Sequence, residues 1–144
     1  MSVADKAVLS ASTTFEVPFH DVDAMHVCWH GHYLKYFEFG RAALLRKFDY
    51  DYREMEASGY VWPVVEAHLK FVRPAVYGQQ LEVCAHLVEY ANRLKISYEI
   101  FDCVSRERLT KGFTIQVAVH AGTKELQFVS PPVVTEKLER AWAS

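Results

Sequence analysis

With 144 residues, 51% of them apolar and 14% aromatic, the chain carries enough hydrophobic side chain for one sizeable core, which excludes a disordered segment. Its net charge is −2 and its Lys and Arg residues are scattered, so it lacks the basic stripe that nucleic-acid binding requires. No apolar run approaches the roughly 20 residues of a membrane span, and residues 1–14 lack the basic start and apolar centre of a secretory signal, so a cytoplasmic protein is expected.

In chain order, residues 13–19 read as a first strand, with Phe15, Val17 and Phe19 on one face. A loop dense in acids and histidines follows. From Tyr33 to about Phe48, the apolar residues Leu34, Phe37, Leu44, Leu45 and Phe48 recur near helical spacing, while Lys35, Glu38, Arg46 and Lys47 take polar positions; this predicts the one long helix. Gly40 inside it would cost roughly 1 kcal/mol relative to Ala, a penalty offset where another element packs closely, so Gly40 marks an expected contact with a sheet. Residues 51–58 add a short helical turn that Gly59 ends.

Beyond Gly59 the period changes to two. Within a strand predicted over 60–73, Val65, Ala67, Leu69 and Phe71 alternate with Glu66, His68 and Lys70, and Pro74 limits its continuation. Leu81, Val83, Ala85 and Leu87 alternate over 81–89, and Leu94, Ile96, Tyr98 and Ile100 over 93–101. Leu109, Lys111, Phe113, Ile115, Val117 and Val119 make a last long strand. The connections 75–80, 90–92 and 102–108 are short, which favours hairpins in an antiparallel sheet. A terminal helix is predicted over about 135–142, after Pro131-Pro132. With no internal repeat or linker, residues 1–144 read as a single domain. One strand, one long helix and four further strands imply an α+β fold, with a curved antiparallel sheet of five to six strands wrapped around the helix, the hot-dog arrangement.

Chemistry concentrates in the loop between the first strand and the helix, which holds Asp21, Asp23, His26, Cys28, His30 and His32. A loop feeding a helix presents free backbone N–H groups, and an acid a few residues upstream lies close to a site that can polarise a carbonyl. That arrangement suits acyl transfer.

Three segments carry a resemblance: Asp21-x-Asp23-Ala-Met, then the run from Trp29 through His30-Gly31-His32-Tyr33-Leu34-Lys35-Tyr36-Phe37 to Glu38, and Phe71-Val72-Arg73-Pro74-Ala75 ahead of Gly78. With these the chain resembles the 4-hydroxybenzoyl-CoA thioesterase-like branch of the hot-dog superfamily, over most of its length from Phe15 to Val119. The resemblance implies that Asp23, the second acid of the pair, is the catalytic carboxylate, attacking a thioester carbonyl directly or activating water. It also implies that the backbone N–H of His30, where the helix begins, faces the oxygen that gains charge in the transition state; loss of one such donor typically costs about 2.7–4 kcal/mol. The His30 imidazole is placed by sequence to orient water or shuttle a proton.

Trp29, His32 and Tyr33 are expected to line the substrate pocket, although aromatics such as Trp29 and Tyr33 are more often core anchors than specificity residues. His26 stands where related motifs have glycine and His32 where they have asparagine. Asp21 is read as a structural hydrogen-bonding acid and Glu38 as a satisfied polar position that a dimer could bring toward the partner's site. Arg93 and Arg73 are candidates for the CoA phosphates, with a solvated surface charge the competing reading for each. The resemblance further implies a homo-oligomer, dimer or dimer of dimers, and no metal or redox cofactor.

Other chemistries fit less well. The histidines with Asp21, Asp23 and Cys28 supply zinc-binding atoms, but ligands crowded in one short loop must still converge on a tetrahedron, and no H-E-x-x-H motif strengthens the case. Cys28 beside histidines suggests a thiol nucleophile, yet a buried cysteine usually behaves as a small apolar residue. Cys84 and Cys103 sit in strand patterns, and with no C-x-x-C pair all three thiols read as reduced. The His-Phe-Pro-Gly type of motif of hot-dog dehydratases is absent. The expected activity is hydrolysis of an acyl-CoA thioester to a free acid and CoA; a carrier-protein thioester as substrate, or noncatalytic binding of an acyl group or acyl carrier protein, is the alternative.

Overall fold

The computed structural model describes residues 2–143, so Met1 and Ser144 of the expected domain lie outside it. The short helix α1 (Val3–Lys6) is followed by strand β1 (Leu9–Glu16), the long helix α2 (Tyr33–Lys47) and helix α3 (Tyr52–Ala57). Strands β2 (Tyr60–Val61), β3 (Val64–Phe71), β4 (Gln80–Glu89), β5 (Leu94–Asp102), β6 (Arg108–Gln116) and β7 (Val119–His120) come next, and helix α4 (Pro132–Ala143) is last. The main sheet is antiparallel with order β1-β4-β5-β6-β3; β2 and β7 form a separate pair.

Helix α2 lies against the inner face of the sheet. Its buried side includes Tyr33, Tyr36, Phe37, Gly40, Leu44 and Leu45. Facing it are Leu81, Val83, Ala85 and Leu87 of β4 and Leu94, Ile96, Tyr98 and Ile100 of β5, all at most 1% exposed, in the alternation read from sequence. Each large aliphatic side chain removed from water contributes about 1.5–3 kcal/mol, so these two strands and the helix stripe form the bulk of the core. Gly40 is the expected contact point: a Cβ there would come within 2.9 Å of Val83 Cγ2 and 3.4 Å of Ala85 Cβ. Gly59, with φ +90°, ends the turn after α3.

Four expectations change. The first strand starts earlier and stops at Glu16; Pro18 leads into a 3-10 turn over Phe19–Asp21, which leaves Phe19 76% exposed while Val17 is buried. The strand expected over 60–73 is divided at Pro63 into β2 and β3, since Pro cannot donate to the ladder. The 75–80 connection is not a hairpin, because β3 pairs with β6 at the far edge and the chain crosses the sheet to reach β4. The last strand also stops at Gln116, and β7 joins β2 instead.

Strand β6 turns its polar and small side chains, not its apolar set, toward the helix. Thr114 pairs with Ile96, Gly112 with Tyr98 and Gln116 with Leu94, all on the inner face, so Lys111 and Phe113 stand on the outer one. The cause is packing. Phe37 stacks on Tyr98 with centroids 4.3 Å apart and planes 8° from parallel, and the Tyr98 hydroxyl hydrogen-bonds Thr114 Oγ1 at 2.8 Å. Only glycine fits beside that stack, since a Cβ on residue 112 would meet the His68 carbonyl oxygen at 2.1 Å and the Phe37 ring at 2.9 Å.

Gly112→Ala is therefore expected to destabilise the fold by about 2–3 kcal/mol, since a backbone must move to admit the methyl. Gly40→Ala meets only side-chain methyls and regains roughly 1 kcal/mol of helix propensity, so its urea midpoint should fall much less.

Candidate active site

The loop after Pro18 is a narrow turn with tied arms. The Trp29 N–H donates to the Asp21 carbonyl at 2.9 Å and the Asp23 N–H to the Val27 carbonyl at 2.9 Å, while Val22 forms a bridge with Cys28. At the tip, the His26 N–H donates to the Asp23 carbonyl at 3.0 Å and His26 itself takes φ 66°. This left-handed conformation explains why glycine suits the position in related motifs, and histidine is among the residues that tolerate it.

Asp21, only 1% exposed, anchors this loop to α2. Lys35 Nζ donates to both its carboxylate oxygens at 2.8 Å and the Tyr36 hydroxyl donates to Oδ2 at 2.7 Å. His20 and His32 each bring Nε2 to 3.7 Å from Oδ1. Burial would raise the Asp21 carboxyl, but the Lys35 ammonium and Tyr36 hydroxyl outweigh it and hold the group below its ordinary range. Burial, reinforced by Asp21, pushes the Tyr36 hydroxyl upward, so it stays protonated as a donor. Cys28 Sγ lies 3.3 Å from that hydroxyl, and burial raises the thiol, which makes it a packing group and not a thiolate.

Asp23 sits half-buried two residues beyond the anchor. Its Oδ1 accepts the Met25 N–H at 2.8 Å, which fixes the side chain, and its other oxygen has no protein partner among the described residues. His30 begins a 3-10 turn, His30–His32, that runs directly into α2; the α-helix proper starts at Tyr33, as the apolar spacing predicts, and three residues after the start at His30 that the resemblance implies. The His30 N–H has no acceptor among the described residues, as befits the first donor of such a turn.

The other expected residues divide between walls, rim and the far end of the sheet. Trp29, 48% exposed, lies with ring centroids 5.0 Å from His30 and 5.4 Å from His32. It covers Gly31 so closely that a Cβ there would fall 2.1 Å from the indole. His32 turns to the Asp21 network. Tyr33 is 2% exposed, packs at 5.0 Å on Phe71 and accepts the Ala75 N–H at 3.3 Å; Ala75 in turn accepts the Cys28 N–H at 2.8 Å, wedging the Arg73-Pro74-Ala75 segment between loop and helix. His30 also approaches Phe71, at 6.4 Å between centroids. Arg73 pairs with Glu107 at 2.7 Å on this side, whereas Arg93 pairs with Glu89 at 2.6 Å next to Leu94, at the opposite end of the sheet.

Sequence reasoning missed Lys35 and Tyr36 as anchors, although Lys35 is the single cation in the first half of α2 and a buried acid nearby demands a counter-charge. It also missed an exposed apolar collar around the loop: Phe19 at 76%, Met25 at 75%, Tyr77 at 61% and Phe71 at 49%. Among the described residues, no group of three His, Cys, Asp or Glu side chains comes together to hold a metal ion.

A family model described as the thioesterase-like superfamily matches residues 17–138. The provisionally named acyl-CoA thioesterase YneP of Bacillus subtilis is 32% identical over 83 residues, 58% of this chain and 59% of the relative, so the match spans less than two thirds of that protein. Among solved structures, the DHNA-CoA thioesterase of Staphylococcus aureus superposes with TM-score 0.80 at 24% identity, covering 93% of this chain and 89% of that one. A hypothetical protein of Thermus thermophilus gives TM-score 0.80 at 28% identity, covering 91% and 98%.

A carboxyl held below its unfolded value stabilises fully above about pH 4, and this stabilisation is lost as pH falls through the lower folded value. Asp21→Asn should lower stability at pH 7 by roughly 1–3 kcal/mol. Between pH 7 and pH 3 it should lose less than the wild type, as read from urea midpoints; equal losses would remove Asp21 from the acid-sensitive anchor.

Proposed function

Since the chain belongs to the thioesterase-like superfamily, we propose that it hydrolyses acyl-CoA thioesters, with Asp23 as general base or nucleophile and the His30 N–H as oxyanion donor. One observation carries the reading: a fixed carboxylate with a free oxygen and an unpaired backbone N–H stand on the two arms of one hydrogen-bonded loop. The thioester carbonyl lies between them. Asp23 either takes a proton from attacking water or adds to the carbonyl itself, the oxygen gains charge against the His30 N–H, and CoA leaves as a thiolate that is protonated by Asp23 in the first route and by solvent in the second. In the second route water then cleaves the mixed anhydride. The name borne by the Bacillus relative supports this reaction class.

The edge strand β3 supports assembly with a second copy. None of its eight residues is fully buried, its outer edge has no neighbour in the sheet among the described residues, and Val64, Val65 and Phe71 are 44%, 58% and 49% exposed. Such an edge invites another strand. Two-fold antiparallel pairing would set Val64 of one copy beside Phe71 of the other. Arg73 lies at the Phe71 end and Arg93 at the Val64 end, separated by a strand of 8 residues, roughly 23 Å. A single copy therefore cannot close both arginines on one phosphate group, and Arg93 would serve the site of its partner.

Thiol release from short, long and aromatic acyl-CoAs tests the reading. Asp23→Asn, at matched oligomeric state, should lose about 10²–10⁴-fold in kcat; full activity in a folded variant would sink the assignment. His30→Ala should lose less, because the backbone donor survives. Arg93→Ala should raise KM with kcat kept, and an unchanged KM would return Arg93 to the solvated surface. A wild type that turns over carrier-protein thioesters but no CoA ester would move the substrate class, and one that binds both without turnover would leave only a binding role.

A further inference from the structure

The outer face of the sheet, away from α2 and the Asp23 loop, holds a feature the catalytic reading does not use. Lys70 of β3 and Lys111 of β6 stand directly opposite each other in the ladder. Like charges so placed repel, and neither lysine has an ion-pair partner within 4.0 Å among the described residues. The nearby acid, Glu99, is opposite Lys111 in register, but its carboxylate is committed to Arg108 at 3.0 Å and to His86 Nε2 at 3.5 Å. Beside the two lysines opens a cavity of about 310 Å³, walled on its apolar side by Phe113 and by Val3 of α1. That is the lower end of the size range of small-molecule sites. His68 stacks parallel to Phe113 at 5.4 Å, and Lys95 Nζ lies 4.6 Å from the centroid of the same ring, so Phe113 is held in place.

We propose that this cavity is a second ligand site, for a small organic carboxylate whose acid group sits between Lys70 and Lys111 and whose apolar body lies against Phe113 and Val3. Charge and shape argue together. Directly opposed residues have backbones about 5 Å apart, so two ammonium groups can converge on the two oxygens of one carboxylate. The lining carries three cations, Lys70, Lys111 and Arg108, against the single acid Glu99, in a chain whose net charge is −2. An anion there offsets the repulsion between the two lysines. A neutral apolar molecule leaves the lysines uncompensated, and a bare inorganic anion leaves the Phe113 and Val3 wall unused.

Calorimetric titration of the full chain tests this with 2-naphthoate, its neutral counterpart 2-naphthalenemethanol, and inorganic phosphate. The expected result is binding of the naphthoate at least tenfold tighter than either control. That binding should weaken at least tenfold in Lys70→Gln/Lys111→Gln, which separates the outer cavity from product binding at the loop because both lysines stand on the face of the sheet turned away from α2. The double variant should keep wild-type thioester turnover and melt no lower than the wild type without ligand, since a repulsion has been removed. Naphthoate binding that survives the double substitution, controls that bind as tightly, or no binding at millimolar ligand would overturn the proposal. So would a double variant whose sole change is its oligomeric mass, because the lysines would then belong to a contact between copies.

Discussion

The contact between Asp21 and α2 is the constraint on which the site depends. A buried carboxylate is costly unless paired, and here Lys35 and Tyr36 saturate it from two successive positions of the helix. Because the Asp21 carbonyl also accepts the Trp29 N–H, the same residue fixes both arms of the loop. Asp23 and His30 are therefore positioned by a group that takes no part in the proposed chemistry. The arrangement also divides labour between two acids: the first is low in pKa and fully satisfied, and the second keeps an uncommitted oxygen.

The sheet supports this loop from below through a second constraint. The Phe37 and Tyr98 rings fix how α2 lies on the sheet, Gly112 makes room for them, and Thr114 takes up the Tyr98 hydroxyl. That packing sets the height of α2 and brings Tyr33 onto Phe71 and Ala75. The linker from β3 thus closes the space between loop and helix, so strand, helix and loop are locked at the end of the molecule that carries Asp23.

Much of this is legible in the amino-acid order, for identifiable reasons. The long helix and strands β4 and β5 announce themselves because their apolar residues keep one period over many positions, and Gly40 reveals close packing because nothing else justifies it in a helix. Strand β6 misleads: its inner face is made of Thr110, Gly112, Thr114 and Gln116, chosen for fit against aromatic rings, while the hydrophobic Phe113 faces outward. That strand β3 lies at an edge is not legible, since sequence alternation does not tell which strand is its neighbour. In the loop, only the resemblance assigns different roles to Asp21 and Asp23, and the partners Lys35 and Tyr36 of Asp21 are revealed only once the helix is laid beside the turn. The opposite placement of Arg73 and Arg93 likewise follows from strand order, which single residues cannot convey.

On the proposed function, a thioester carbonyl lies between Asp23 and the His30 N–H. A crystal structure with an acyl-CoA analogue whose sulfur is replaced by methylene would test it most directly. The expected result is a carbonyl oxygen at about 2.7–3.1 Å from the His30 nitrogen, with the free Asp23 oxygen facing the carbonyl carbon directly or through one water. A carbonyl bound elsewhere, with Asp23 still turned to Met25 and remote from the ligand, would contradict it.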